Sequence, residues 1–316
     1  MKVLIVLFLL VIINYSSSVF GATCTQNSDC STGVCRNRLL LFSGLGLNTN
    51  NNRILVMGNS PVAPAPIIAS VPTSGGSIKG EYQILSNTAT RTAHGIFKYL
   101  PSSQLLFTIN SQTSAPYFVG PYYQNGTLVD VWETNDMSIE IDFDETNQET
   151  LLCTTGISLY NSIPITTGSS SSPVYKNVKC QGLGRVGTTL YGSKSSTTGS
   201  DFFSGDVGCN NCEESQLNPL FSETFQVSDL AVTSTNIYYS SVWSDGVNEV
   251  KGIFEVPING DLTQKRVLSS DSVEKILVSN GVIYYISNGK LKSVTISSAT
   301  VSTLYENTGT YQGECA

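Results

Sequence analysis

Apolar and polar residues alternate over short runs along most of this 316-residue chain. In Ser138-Ile139-Glu140-Ile141-Asp142-Phe143-Asp144 the apolar side chains all fall on one face, the period-2 mark of a half-buried strand. The same alternation marks Arg53 to Met57, Gln104 to Ile109, Val227 to Val232 and Lys275 to Val278. Between such runs stand turn formers, among them Asn259-Gly260-Asp261, Asp245-Gly246 and Asn288-Gly289. No stretch of 12 or more residues carries apolar positions at helical spacing. The pattern predicts an all-β protein.

One segment of this pattern recurs. Val227 to Ser240, VSDLAVTSTNIYYS, aligns without a gap on Val273 to Ile286, VEKILVSNGVIYYI, 46 residues on. Leu230 meets Ile276, Val232 meets Val278, Ile237 meets Ile283, and both tyrosines coincide. The first copy then carries about eight extra residues around Trp243-Ser244-Asp245-Gly246. Beyond them Ile253, Val256 and Ile258 lie over Leu291, Val294 and Ile296, and a last apolar patch closes each copy at Val267-Leu268 and Leu304-Tyr305. Each unit predicts four short strands. A third copy lies at Leu183 to Ser193, where Leu190-Tyr191 precedes Ile237-Tyr238 by 47 residues. Leu159-Tyr160, Leu106-Phe107 and Ile54-Leu55 are looser copies at uneven spacing.

Four-stranded units repeating at about 45 residues are the sequence sign of β-propeller blades. A lone four-stranded sheet leaves its faces uncovered, whereas radial stacking covers them and ring closure protects the edges. About 280 residues at about 46 per unit predicts six blades. A β-sandwich array or a pair of small β-domains also accommodates short strands at regular spacing. The pattern L-x-V, I-Y-Y, a turn, then I-x-x-V-x-I resembles the blades of low-density-lipoprotein-receptor-type (YWTD-like) six-bladed propellers, best over residues 227–306. The chain departs from that family in lacking the Tyr-Trp-Thr-Asp tetrad: Tyr238-Tyr239-Ser240-Ser241 and Tyr284-Tyr285-Ile286-Ser287 stand in its place. The resemblance implies a platform that binds other proteins outside the cell.

The leading residues divide the chain further. Lys2, the apolar run Val3 to Ile13 and the small-residue site Val19-Phe20-Gly21 have the three parts of a secretory signal, expected over residues 1–21. The run of about 11 residues is short of the roughly 20 that span a bilayer, and no later stretch is long enough, so no membrane span is expected. Residues 22–36 form a cysteine-rich segment too poor in apolar residues for a core of its own, and residues 37–316 form the propeller-like domain. Ser60 to Ser77, with four prolines, and Gly168 to Pro173, GSSSSP, are expected as long surface loops rather than central strands.

Eight cysteines, Cys24, Cys30, Cys35, Cys153, Cys180, Cys209, Cys212 and Cys315, all lie beyond the signal. An even number in an exported chain predicts disulfides, with 105 formal pairings. Three cysteines in the N-terminal cluster leave one over, and Cys315 is the first candidate to receive it, tying the ring's two ends. Asn125-Gly126-Thr127 is an N-glycosylation sequon, which puts Asn125 on the surface. The net charge is −7, or −8 with Lys2 of the signal left out, and no Lys/Arg cluster is present. That balance argues against a nucleic-acid partner, whose phosphates need neutralising.

Candidate chemistry is sparse. The single histidine, His94, leaves no imidazole-rich metal site, and nothing near it marks a nucleophile. Cys209-Asn210-Asn211-Cys212 has the C-x-x-C spacing of redox enzymes, but Ser204 to Gly208 before it form a turn rather than a helix start. Structural bridges, to Cys153 or Cys180, are expected there. Glu140, Asp142, Asp144 and Glu145 are the densest acidic group, and without a glycine-turned ligand loop they make a solvated strand face. No residue is therefore assigned a catalytic, cofactor-binding or metal-binding role, and no cofactor is expected. The leading expectation is a secreted, disulfide-stabilised protein that binds an extracellular protein or glycan through loops at one end of the ring, the Trp243 insertion among them. The alternative is a secreted carbohydrate-active hydrolase or lyase whose carboxylates meet in the channel.

Overall fold

The computed structural model describes residues 41–48, 51–59, 67–83, 92–100, 105–111, 117–123, 132–134, 138–144, 149–154, 160–164, 173–178, 180–244, 246–273 and 275–306. Their strands form six sheets. The first holds β1 (Leu41–Asn48), β2 (Arg53–Asn59), β3 (Ile67–Pro72) and β4 (Lys79–Gln83), and the second β5 (Thr92–Leu100), β6 (Leu105–Ser111), β7 (Tyr117–Tyr123) and β8 (Trp132–Thr134). The third holds β9 (Ser138–Asp144), β10 (Glu149–Thr154), β11 (Tyr160–Pro164) and β12 (Pro173–Lys176), with β16 (Cys212–Glu213) added at its edge. The fourth holds β13 (Cys180–Val186), β14 (Thr189–Ser195), β15 (Ser200–Asp206) and β17 (Asn218–Glu223). The fifth is β18 (Asp229–Val232), β19 (Asn236–Ser244), β20 (Glu249–Pro257) and β21 (Arg266–Ser269). The sixth is β22 (Ile276–Ser279), β23 (Val282–Ser287), β24 (Lys290–Thr295) and β25 (Thr300–Glu306).

The first strands of successive sheets touch in the order β1, β5, β9, β13, β18, β22, and β22 returns to β1. The sheets are thus the blades of a closed β-propeller, the architecture predicted from the repeat. The ring closes by packing: Ile54, Val56, Val71 and Ile78 of the first blade share a core with Tyr284 and Leu291 of the sixth. The Gly76 amide donates to the Leu304 carbonyl across the same junction, at 3.1 Å.

The recurrence of I-Y-Y is a consequence of this geometry. Both copies lie on second strands, β19 and β23, and period 2 sends alternate residues to opposite neighbouring blades. Ile237 and Tyr239 pack with Phe202 and Phe221 of the fourth blade, while Tyr238 packs toward the sixth with Ile276 and Ile283. One blade on, Ile283 and Tyr285 pack with Ile253 of the fifth blade, and Tyr284 with Ile54 of the first. Ile237, Tyr239, Ile283 and Tyr285 are all fully buried. The Asn280-Gly281 and Asn288-Gly289 pairs, all at positive φ, make the two-residue hairpin turns on either side of β23.

Three expectations are corrected. Ser60 to Ser77 is not one long loop, because β3 runs through it between β2 and β4. Its prolines flank the run Ile67 to Val71 rather than interrupt it, so the ladder keeps its amide donors. Leu159-Tyr160 is not a second-strand motif: Tyr160 opens β11, the third strand of its blade, and Leu151-Leu152 of β10 hold the second-strand place. Nor is every sheet four-stranded. β16, from the connection between β15 and β17, pairs in parallel with β12 of the preceding blade, Cys212 opposite Tyr175.

Candidate recognition face

Strand alternation puts the turns between second and third strands, and the crossings to the next blade, at one end of the ring. At that end the β19–β20 hairpin extends past its counterpart on the sixth blade. Pairing continues to Ser244 opposite Glu249, five residues past Tyr239, whereas β23 stops at Ser287, two past Tyr285. Three more residues per strand, at about 3.3 Å each, project the hairpin roughly 10 Å beyond its neighbour. Gly252 makes the departure possible. It sits at φ +146°, just where β21 ends, and a Cβ there would lie 2.4 Å from the Ser269 carbonyl oxygen.

The hairpin is anchored at its base and exposed to solvent at its tip. The Ser241 hydroxyl lies 2.9 Å from the Gln226 carbonyl and 3.0 Å from that of Val250, and it accepts from the Trp243 amide at 3.1 Å. Trp243 and Val250, cross-strand partners, are half-buried against the core between the fourth and fifth blades. Val247 at the tip is 90% exposed, and Lys251 is ion-paired with Glu249 on the same strand.

Below the hairpin, tyrosine–carboxylate–lysine brackets join the blades. The Tyr239 hydroxyl donates to Glu223 of β17, which also receives the Lys265 ammonium at 2.6 Å. The Tyr285 hydroxyl donates to Asp271 at 2.7 Å, and Lys292 reaches the same oxygen at 2.9 Å. Burial pushes both tyrosines above the ordinary phenol range, and the carboxylate beside each adds to the shift. On the inner strands, Asp229 of β18 accepts from the Ile276 amide of β22 at 2.8 Å. These side chains lie at the interfaces between the fourth and fifth and between the fifth and sixth blades. Sequence reading missed them because Glu223 lies 16 residues before Tyr239 and Asp271 only 14 before Tyr285. A gap-free alignment does not superpose the two carboxylates.

Cys209 and Cys212 are bridged to each other, Cα atoms 5.9 Å apart, and not to Cys153 or Cys180. The bridge tightens the connection that delivers β16 to β12, and the chain then enters a short 3-10 turn (Glu214–Gln216) rather than an α-helix. Cys180, at the start of β13, is disulfide-bonded. Cys153 lies on β10. Cys24, Cys30, Cys35, Cys315, Asn125 and Glu145, like the signal, the cysteine-rich segment and most of Gly168 to Pro173, lie outside the described residues. His94 sits in β5 where pairing with β6 is interrupted between Ala93 and Phe97, and Glu140, Asp142 and Asp144 sit on β9, a first strand.

A cleft of about 740 Å³ opens at the outer part of the fourth blade, lined by Lys194, Asp201, Glu214, Leu217 and Ser222 among others. Its charged groups have partners within the cleft: Glu214 pairs with Lys194, and Asp201 accepts from the Ser222 hydroxyl at 2.7 Å. Among the described residues no helix is long and apolar enough to cross a membrane.

No protein-family model matches the chain. It is 27% identical to the SrfA-induced gene K protein of Dictyostelium discoideum, over 93% of its own length and 71% of that protein's. Among solved structures it superposes on a chain of the nidogen/laminin complex with a TM-score of 0.60 at 8% identity, covering 77% of this chain and 92% of that one. It also superposes on the tricorn protease with a TM-score of 0.60 at 11% identity, covering 85% of this chain but only 26% of that one. At such identities the likeness is one of fold, and that fold is the β-propeller.

Proposed function

We propose that the chain is exported and acts outside the cell as a binding protein for a protein or glycan partner, with the hairpin end of the ring as its recognition face. The observation that carries this reading is the β19–β20 hairpin, which projects beyond the neighbouring blade and ends in a solvent-exposed Val247. An exposed apolar tip on an anchored base is suited to insertion into a partner's surface. The signal-like residues 1–21 and the eight cysteines support export. A chain of the nidogen/laminin complex shares the architecture. We also propose kinship with the low-density-lipoprotein-receptor-type six-bladed propellers, the tyrosine–carboxylate–lysine brackets standing in for that family's tetrad.

The test compares the full chain with a variant in which residues 244–249 are replaced by Asn-Gly, both expressed in a secreting eukaryotic host. Trp243 and Val250 would then flank a two-residue turn, which leaves the blade intact. The reading expects both proteins in the medium, with a partner retained by the unchanged chain and released by the trimmed one. A chain that stays inside the cell, or equal retention by both proteins, overturns it.

A further inference from the structure

We propose that Glu223, Phe225, Tyr239 and Phe254 form a binding site for a primary alkylammonium group, and that Lys265 is a tethered occupant of that site. The Lys265 nitrogen lies 4.6 Å from the ring centre of Phe254, 5.0 Å from Phe225 and 5.8 Å from Tyr239. It also lies 2.6 Å from Glu223 Oε1. The negative ring faces and the carboxylate all favour a cation, and their burial strengthens each attraction. Tyr239 is fully buried, Phe225 and Phe254 are nearly so, and Glu223 is 9% exposed.

The box is assembled without the lysine. Phe225 packs on Phe254 at 5.5 Å, Tyr239 stacks on Phe254 at 5.3 Å, and the Tyr239 hydroxyl holds Glu223. Lys265 comes instead from the connection between a 3-10 turn (Leu262–Gln264) and β21, and its side chain is 25% exposed. The site therefore opens to solvent along the lysine stem. The next interface shows that a bracket does not need such a box. There the lysine is Lys292, opposite Tyr285 in the ladder, in the place that Phe254 holds opposite Tyr239. Between the fifth and sixth blades the cation is built into the sheet; between the fourth and fifth a ring takes that place and a loop supplies the cation. Because the tether presents its ammonium at high effective concentration, free amines compete poorly while Lys265 is present.

Lys265→Ala deletes the atoms of n-propylammonium, which makes that ion the probe. The assignment expects n-propylammonium chloride to raise the melting temperature of Lys265→Ala above that in sodium chloride of equal ionic strength. It also expects at least about tenfold weaker binding to the unchanged chain, and loss of about tenfold or more when Glu223→Gln is added, as for a hydrogen bond to a charged group. 1-Propanol, which lacks the charge, should not act. If Lys265→Ala is unfolded alone, recovery of native circular dichroism on adding the amine supports the site, and no recovery overturns it. A folded Lys265→Ala that responds equally to the amine and to sodium chloride also overturns it.

Discussion

Ile237 and Ile283 hold equivalent places in adjacent blades, so truncating either should cost the same. Each is fully buried, Ile237 in the core between the fourth and fifth blades and Ile283 in that between the fifth and sixth. Isoleucine to alanine removes three carbons, worth about 0.8 kcal/mol each in transfer terms, or roughly 2.4 kcal/mol. The unfilled cavity raises that toward the range of about 2–5 kcal/mol seen for such truncations. The two residues belong to different clusters, so the double variant should show the sum to within about 0.5 kcal/mol. Urea unfolding followed by circular dichroism and by fluorescence measures this, with coincident transitions as the condition for reading free energies. The denaturant slope should stay constant while the midpoint falls. Val301→Ala, at an outer-strand position 41% exposed, serves as the control and should change stability by no more than about 0.5 kcal/mol. Costs that differ by more than about 1 kcal/mol between the two isoleucines would refute the equivalence of the two blades.

The same interfaces yield two further expected outcomes. Gly252→Ala should destabilise the chain by about 1–3 kcal/mol, since its Cβ would meet the Ser269 carbonyl oxygen at 2.4 Å and its φ of +146° disfavours any side chain; unchanged thermal melting would contradict this. Asp271 is partly buried, which alone would raise its pKa, but hydrogen bonds from Tyr285 and Lys292 and the lysine charge hold it below the ordinary aspartate range. The unfolded chain then takes up that proton more readily, so the bracket's stability is present above about pH 4 and is lost as pH falls through the lowered value. Asp271→Asn should flatten this acid limb in urea midpoints measured from neutral to strongly acidic pH, and parallel curves would show that the bracket contributes nothing.

The blades were legible in the sequence because their buried residues recur: Ile237 and Tyr239 return as Ile283 and Tyr285. The third blade was harder to see. Its edge is completed by the two-residue β16, which comes from the β15–β17 connection of the fourth blade and is too short to leave any periodicity. Prolines at 61, 64, 66 and 72 concealed β3, although the five residues between the last two carry no proline. The brackets and the cation box were invisible for another reason. Glu223, Tyr239 and Lys265 lie 16 and 42 residues apart along the chain measured from the carboxylate, and only the stacking of two blades brings them together. Charge pairing across blades has no period, whereas burial along a strand does.

The ring is closed by packing of the sixth blade on the first, and the amide of Gly76 reports on that closure directly. That amide donates to the Leu304 carbonyl at 3.1 Å, across the closing junction and outside any sheet ladder. Residue-resolved native-state hydrogen exchange should find it protected to the same degree as the Leu55 amide in the buried strand β2, because opening the ring removes the core on which both depend. Exchange of Gly76 at the rate of a free loop, with Leu55 still protected, would show blades that fold without closing.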